Sequence, residues 1–170
     1  MSSPLHTFEG GCHCGALGFS FQTALPVTRW SVRACQCGFC RAHGARTTSD
    51  PSGRLAFHLN EGEALRRYRF GLMTADFLVC RHCGVYLGAQ IATANGAFGI
   101  INTLALMPPP AGLAVAAQAD YGSESASDRI ARRAALDAAR KARLTPVRRK
   151  RHAPLPSLCA VDRLPDIQRR

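Results

Sequence analysis

Seven of the eight cysteines in this 170-residue chain fall into three short motifs, and this grouping limits the possible folds more than any other feature. The motifs are C-x-C, C-x-C-x-x-C and C-x-x-C, formed by Cys12 and Cys14, by Cys35, Cys37 and Cys40, and by Cys80 and Cys83. A tetrahedral zinc ion needs thiolates close together, and a short knuckle supplies two of them from one turn. The spacing therefore predicts a zinc-binding domain, with Gly15, Gly38 and Gly84 where knuckle turns need backbone freedom.

Seven ligands predict two unequal metal sites rather than two closed sites of four cysteines. A four-cysteine site is closed and structural, whereas a three-cysteine site leaves one position for water, substrate or another side chain. The spacing leaves open which cysteines share an ion. It also leaves His43, three residues after Cys40, as an alternative fourth ligand that would make the second site purely structural. An iron–sulfur centre is less favoured, because the motifs match none of the usual cluster spacings.

The cellular compartment decides how these cysteines are interpreted. The N-terminal residues 1–6 have neither the basic start nor the apolar core of a secretion signal, and no apolar run approaches the roughly 18 residues that cross a bilayer. We therefore expect a cytoplasmic protein without a membrane partner. In a reducing compartment, clustered cysteines indicate metal binding or catalysis rather than disulfides. Cys159 stands alone and is expected to be a free thiol.

Short alternating apolar patterns predict a mainly β fold up to about residue 120. Leu17, Phe19 and Phe21 occupy alternate positions, which is the pattern of a half-buried strand. Strands are predicted at residues 16–21, 27–32, 54–59, 66–70, 75–79, 85–89 and 98–106. Large aromatic side chains are expected in the core, namely Trp30, Phe57, Tyr68 and Phe98.

The last third of the chain has a different composition. Residues 121–170 hold 13 Lys/Arg and 5 Asp/Glu, against 9 and 6 in residues 1–120, so most of the net charge of +11 lies there. A helix is predicted over residues 127–143, with Ser127 as its N-cap. We expect three parts: a zinc-binding domain (1–120), a C-terminal helix and extension (121–146), and a basic, flexible tail (147–170).

The residues around the three motifs resemble the glutathione-dependent formaldehyde-activating enzyme family, with which the centromere protein V group is united. The resemblance covers about residues 8–107, including the segment 62–70. It is carried by Gly-Gly-Cys12-His-Cys14-Gly-Ala, Cys35-Gln-Cys37-Gly-Phe-Cys40-Arg41 and Phe77-Leu-Val-Cys80-Arg-His-Cys83-Gly84-Val. It implies a compact, mostly antiparallel β-sheet fold with two zinc ions per chain. It also implies a structural zinc at Cys12, Cys14, Cys80 and Cys83, and a more labile zinc at Cys35, Cys37 and Cys40.

The activity implied by the resemblance is the addition of glutathione to formaldehyde, which gives S-hydroxymethylglutathione and is classed as a carbon–sulfur lyase reaction. Cys35, Cys37 and Cys40 are then the catalytic group. Glutathione carries two carboxylates and favours arginine donors, so Arg41 is the candidate substrate-binding residue. Arg33 and Arg46 also flank this site, and each of the three arginines could instead be a solvated surface charge. The alternative hypothesis is a non-enzymatic zinc scaffold whose basic tail binds nucleic acid or an acidic partner.

Overall fold

The computed structural model describes residues 4–94 and 96–137 together with the backbone of 143–146. Within these residues the chain forms eleven strands and two α-helices. The strands are β1 (His6–Gly11), β2 (Leu17–Thr23), β3 (Arg33–Cys35), β4 (Thr47–Thr48), β5 (Arg54–Leu59), β6 (Leu65–Tyr68), β7 (Asp76–Cys80), β8 (Tyr86–Thr93), β9 (Gly96–Asn102), β10 (Ala117–Ala119) and β11 (Arg143–Pro146). The helices are α1 (Gly38–Ala42) and α2 (Ala126–Leu136).

The strands form two sheets, and the predicted mainly β class is confirmed. One sheet has the order β1-β2-β5-β11, and the other has the order β10-β3-β4-β9-β8-β7-β6. Neighbouring strands are antiparallel except at two short pairings, β3 with β10 and β5 with β11. The chain enters the seven-stranded sheet through β3, which leads directly into the second cysteine motif.

The core is built from the alternating pattern that the sequence predicts for β2. Its buried residues include Phe19, which is fully enclosed and contacts Phe57 of β5 edge to face, with ring centroids 6.2 Å apart. Leu78 of β7 and Ile101 of β9 join the same apolar cluster from the other sheet. Burial of each such side chain contributes about 1.5–3 kcal/mol, so the two sheets are held together at their centre.

The prediction of a strand at residues 27–32 is wrong. The chain forms a 3-10 turn at Val27–Arg29, because Pro26 has a fixed φ and precedes the turn in extended conformation. Trp30 is nevertheless buried as predicted, and its ring contacts Phe8 and Phe21 edge to face, at centroid distances of 4.7 and 5.3 Å. The apolar pattern therefore identified the burial but not the backbone conformation.

The C-terminal helix is present, but its predicted bounds are wrong at both ends. Ser125 is the N-cap in place of Ser127, and its Oγ accepts a hydrogen bond of 3.2 Å from the backbone N–H of Asp128. The helix ends at Leu136 because Asp137 adopts an extended conformation, and residues 143–146 pair with β5 as a strand. Neither described helix has the length and apolar character needed to span a membrane. The expected basic tail and Cys159 lie outside the described residues.

Candidate metal centres

Four cysteines converge where the two sheets meet. Cys12 and Cys14 follow β1, whereas Cys80 ends β7 and Cys83 follows it. The Sγ atoms of Cys12 and Cys14 lie 3.5 Å apart, and those of Cys14 and Cys80 lie 3.6 Å apart. All four Sγ atoms lie within 4.8 Å of one another. A tetrahedral zinc with Zn–S bonds of about 2.3 Å places its sulfurs about 3.8 Å apart, so the donor set fits zinc.

Two tight turns bring these thiols together, as the sequence predicts. Gly15 follows Cys14 at φ +77°, and Gly84 follows Cys83 at φ +74°, a region that glycine enters without strain. The backbone N–H of Gly84 donates to the carbonyl of Cys80 at 2.9 Å, which closes the second knuckle. His13 and His82 point out of the knuckles into solvent, in agreement with their expected solvent exposure.

The four thiols have different proton affinities. Burial raises the pKa of Cys12 and of Cys80 above the usual thiol value. Burial also acts on Cys83, but backbone N–H groups of Val85 and Cys14 donate to its sulfur and lower its pKa to about 7. The group therefore contains one thiol that ionises near neutral pH and buried thiols that a cation would have to deprotonate.

The second group consists of Cys35, Cys37 and Cys40, whose Sγ atoms also lie within 4.8 Å of one another. Cys35 ends β3, and Cys37 is the N-cap of α1, where its sulfur accepts from the backbone N–H of Cys40 at 3.4 Å. The short helix therefore places Cys37 and Cys40 beside each other. Gly38 lies in this helix without positive φ, so its predicted role as a flexible turn residue is wrong.

The three thiols share protons unequally. The sulfur of Cys35 accepts a hydrogen bond from the Cys40 thiol, which outweighs burial and lowers the pKa of Cys35 to about 5. The same bond and burial raise the pKa of Cys40. A thiolate is therefore present at Cys35 at neutral pH, and it is the form that binds a metal ion.

His43 is not placed among these thiols. It is the C-cap of α1, its Nδ1 donates to the carbonyl of Phe39 at 2.9 Å, and its ring stacks on Phe39 at a centroid distance of 4.1 Å. Among the described residues, the group of His, Cys, Asp and Glu donors at this site contains the three cysteines only. The alternative in which His43 closes the second site therefore lacks geometric support.

An aromatic cluster adjoins the three cysteines on one side. Phe39 of α1 is at its centre, stacked against Tyr68 and Phe70 and edge-on to Phe77 and Tyr86. Tyr68 is 39% exposed, so its prediction as a core residue is wrong. Phe57 is buried as predicted, whereas Phe98 is only half-buried. The cluster forms an apolar wall beside the second site.

An open groove of about 360 Å³ lies between the two cysteine groups. His43 and Tyr86 line it near the second group, and Cys83 and Gly84 line it near the first. The remaining lining residues are Val85, Asn102, Leu104 and Ala105. A small polar ligand fits in such a volume with one end close to the three cysteines.

The three arginines that flank the second site have different surroundings. Arg41 is exposed on α1, and its guanidinium has no carboxylate partner within the described part of the chain. Arg46 is also exposed. Arg33 is not a solvated charge, because its side chain is only 15% exposed and its Nη2 donates to Ser49 Oγ at 2.6 Å. Arg41 and Arg46 are therefore the ones available to a ligand.

Three polar residues near the second site were not identified from the sequence. Tyr86 is buried in contact with the cysteine group, and its hydroxyl has no hydrogen-bonding partner among the described residues. Arg133 and Asp137, at the end of α2, are also buried. The apolar run after Cys83 signals a strand but not a buried hydroxyl, and charged residues in an arginine-rich helix are expected in solvent.

The chain matches the family model described as "Glutathione-dependent formaldehyde-activating enzyme" over residues 7–116, which is more than half of its length. It is also similar to a Rhodobacter sphaeroides protein of known crystal structure, at 30% sequence identity and a TM-score of 0.49. That similarity covers 65% of this chain and 99% of the other. On the strength of the matched segment, which contains all seven clustered cysteines, this chain belongs to the glutathione-dependent formaldehyde-activating enzyme family.

Proposed function

We propose that this protein is a zinc-dependent carbon–sulfur lyase that forms and cleaves thiol–aldehyde adducts of the glutathione–formaldehyde type. Membership of the family supports a glutathione- and formaldehyde-related activity. The proposal adds two zinc ions per chain: a structural one at Cys12, Cys14, Cys80 and Cys83, and a reactive one at Cys35, Cys37 and Cys40. Cysteine sulfur is a preferred zinc ligand, and the sulfur spacings fit this ion.

The observation that carries the proposal is the incomplete donor set of the second group. Three thiols converge there, and the described residues supply no fourth His, Cys, Asp or Glu donor. A zinc site with three protein ligands keeps one position for an exogenous ligand, which is the arrangement of catalytic rather than structural sites. The neighbouring groove supplies space for that ligand.

The reaction requires a thiolate and an aldehyde held close together. The thiolate sulfur attacks the carbonyl carbon, a carbon–sulfur bond forms as the π bond breaks, and the oxygen takes a proton from water. Cleavage is the reverse of these steps. A bound zinc ion would supply a lowered pKa for the thiol at its open position. The Phe39 cluster excludes water from one side of the site, which strengthens electrostatic interactions there.

Arg41 is the residue that we assign to the substrate's charge. It follows Cys40 directly, is exposed, and has no carboxylate partner within the described chain. A guanidinium binds a carboxylate through two parallel hydrogen bonds. Arg41 would therefore hold a carboxylate of glutathione while the thiol reaches the cysteine group, so that the reacting groups are positioned rather than free.

The test is exchange NMR with ¹³C-formaldehyde and glutathione, because the uncatalysed addition is itself easy and only the rate distinguishes catalysis. Wild-type protein should increase the exchange rate between free and adduct formaldehyde in proportion to its concentration. Cys37→Ser should not. Equal rates for both proteins and for buffer would refute the lyase and favour the scaffold hypothesis.

A further inference from the structure

The C-terminal helix α2 lies beyond the segment that matches the family model, yet its end is buried beside the second cysteine group. Arg133 is 8% exposed and Asp137 is 2% exposed. Arginine and aspartate are rarely buried to this degree unless their charges are compensated. The end of this helix is therefore unlike a helix that only covers a sheet.

The buried charges form a cluster of two arginines and one aspartate. Arg133 Nη1 lies 3.5 Å from Asp137 Oδ2, and Arg33 Nη2 lies 3.9 Å from Asp137 Oδ1. The Nε of Arg133 is enclosed and has no hydrogen-bonding partner among the described residues. Burial raises the pKa of Asp137 and the arginines oppose that shift, and with either protonation state of Asp137 the cluster has an excess of positive charge.

This positive cluster adjoins the three thiols through β3. Arg33 and Cys35 are two residues apart on this strand, so their side chains leave the same face. The end of α2 is fixed against that region, since Ser49 Oγ accepts from Arg33 and donates to the carbonyl of Leu136 at 2.9 Å. Arg133 also lowers the pKa of Cys35, after the larger effect of the hydrogen bond from Cys40.

A zinc ion with three thiolates has a net charge of −1, and the ionised cluster has a net charge of +1. We propose that Arg133 is the counter-charge of the second zinc site, so that α2 controls how tightly the three cysteines hold their ion. The site and the cluster are then neutral together, and neither charge is buried uncompensated. The inference rests on the part of the proposed function that assigns zinc to Cys35, Cys37 and Cys40.

The test is zinc affinity, measured by competition with a chromophoric chelator on the full-length zinc-loaded protein. Arg133→Met should weaken the second zinc by about 10- to 100-fold, which is typical for loss of a residue that supports a metal ligand, and leave the first zinc unchanged. Arg133→Lys keeps the charge and should remain within about threefold of wild type on the same scale. Arg132→Met is the matched control, because Arg132 lies on the same helix but binds Glu124.

The inference is overturned if Arg133→Met holds both ions as Arg132→Met does, or if it weakens both ions equally as a purely structural contact would. If Arg133→Met does not fold by circular dichroism, Arg133→Lys decides, and a folded lysine variant that releases the second zinc as readily as Cys37→Ser contradicts the inference. Zinc affinity is measured without turnover. An inactive wild type with an Arg133-dependent zinc would therefore refute the lyase and leave this inference standing.

Discussion

The Sγ atoms of Cys14 and Cys80 lie 3.6 Å apart, although 66 residues separate these two cysteines in the chain. Cys14 follows the first strand of the four-stranded sheet, and Cys80 ends β7 of the seven-stranded sheet. A metal ion at this point would therefore join the two sheets across a large loop. Cross-links between distant residues lose the most unfolded-state entropy, which is why we assign this group a structural role.

Cys80→Ser should strongly destabilise the domain. Cys80 is buried at the junction of the two sheets, and the hydroxyl of serine is a poor zinc ligand. We expect Tm to fall by more than about 10 °C, because each kcal/mol is worth about 2–4 °C in a domain of this size and metal loss is among the largest single-site effects. Calorimetry measures the change, with Cys159→Ser as the matched control. An unchanged Tm would contradict the structural assignment.

Cys37→Ser should remove one zinc ion and spare the fold. The second group is built on β3 and the five-residue helix α1, and it does not join the two sheets. Zinc content by elemental analysis should fall from two ions to one per chain, with the near-native circular dichroism spectrum retained. Loss of both ions would show that the division into four and three ligands is incorrect.

The strands that could be predicted from the sequence are those whose burial alternates locally. Residues 54–59 match β5 at both ends, and β2 was located to within two residues. β1 was missed because most of its residues are exposed and Phe8 is its only large apolar residue. Asp137 shows the same limit at a helix end, since its extended backbone is associated with buried contacts to Arg33 that no local pattern reveals.

The candidate site divides in the same way. The cysteine ligands have a spacing that local turn geometry explains, so their grouping could be predicted before the structure was known. Arg133 and Tyr86 could not be identified, because their proximity to the thiols depends on how α2 and β8 pack around β3 and α1. Side chains that enter a site through tertiary packing leave no motif in the sequence.

Arg41→Met should raise the KM for glutathione without changing the KM for an uncharged thiol such as 2-mercaptoethanol. The reason is that the proposed contact is with a carboxylate that the small thiol lacks. Loss of one charge-assisted hydrogen-bonded contact is worth about 1.5–3 kcal/mol, or about 10- to 150-fold in KM. Arg66→Met is the matched control, since Arg66 is also exposed but lies on β6. Equal effects on both thiols would contradict a carboxylate contact.

Glu124→Gln should destabilise the protein at neutral pH and have less effect in acid. Arg132 donates to the Glu124 carboxylate at 3.0 Å and Arg129 donates at 3.2 Å, and the bond from Arg132 is the main cause of the lowered pKa of Glu124. A lowered folded-state pKa gives stability that is fully present above the unfolded value of 4.5. That stability is lost as the pH falls through the folded-state pKa.

The size of the Glu124 effect follows from its partial exposure. Its side chain is 17% exposed, so solvent screens the interaction and the expected loss is about 0.5–1 kcal/mol at pH 7. Urea unfolding of wild type and variant between pH 7 and pH 4 measures it, with the exposed residue changed in Glu63→Gln as control. A difference that grows as the pH falls would have the wrong sign for this ion pair.

The most direct test of the account is the zinc content per chain of gently purified protein, measured with and without glutathione. The account predicts two zinc ions in the absence of thiol, with the value falling towards one as glutathione rises, because the second group has three protein ligands and exchanges its ion. The Cys37→Ser variant should hold one ion at every glutathione concentration. Two ions that do not respond to the thiol would mean that the second site is closed, and would contradict the lyase account.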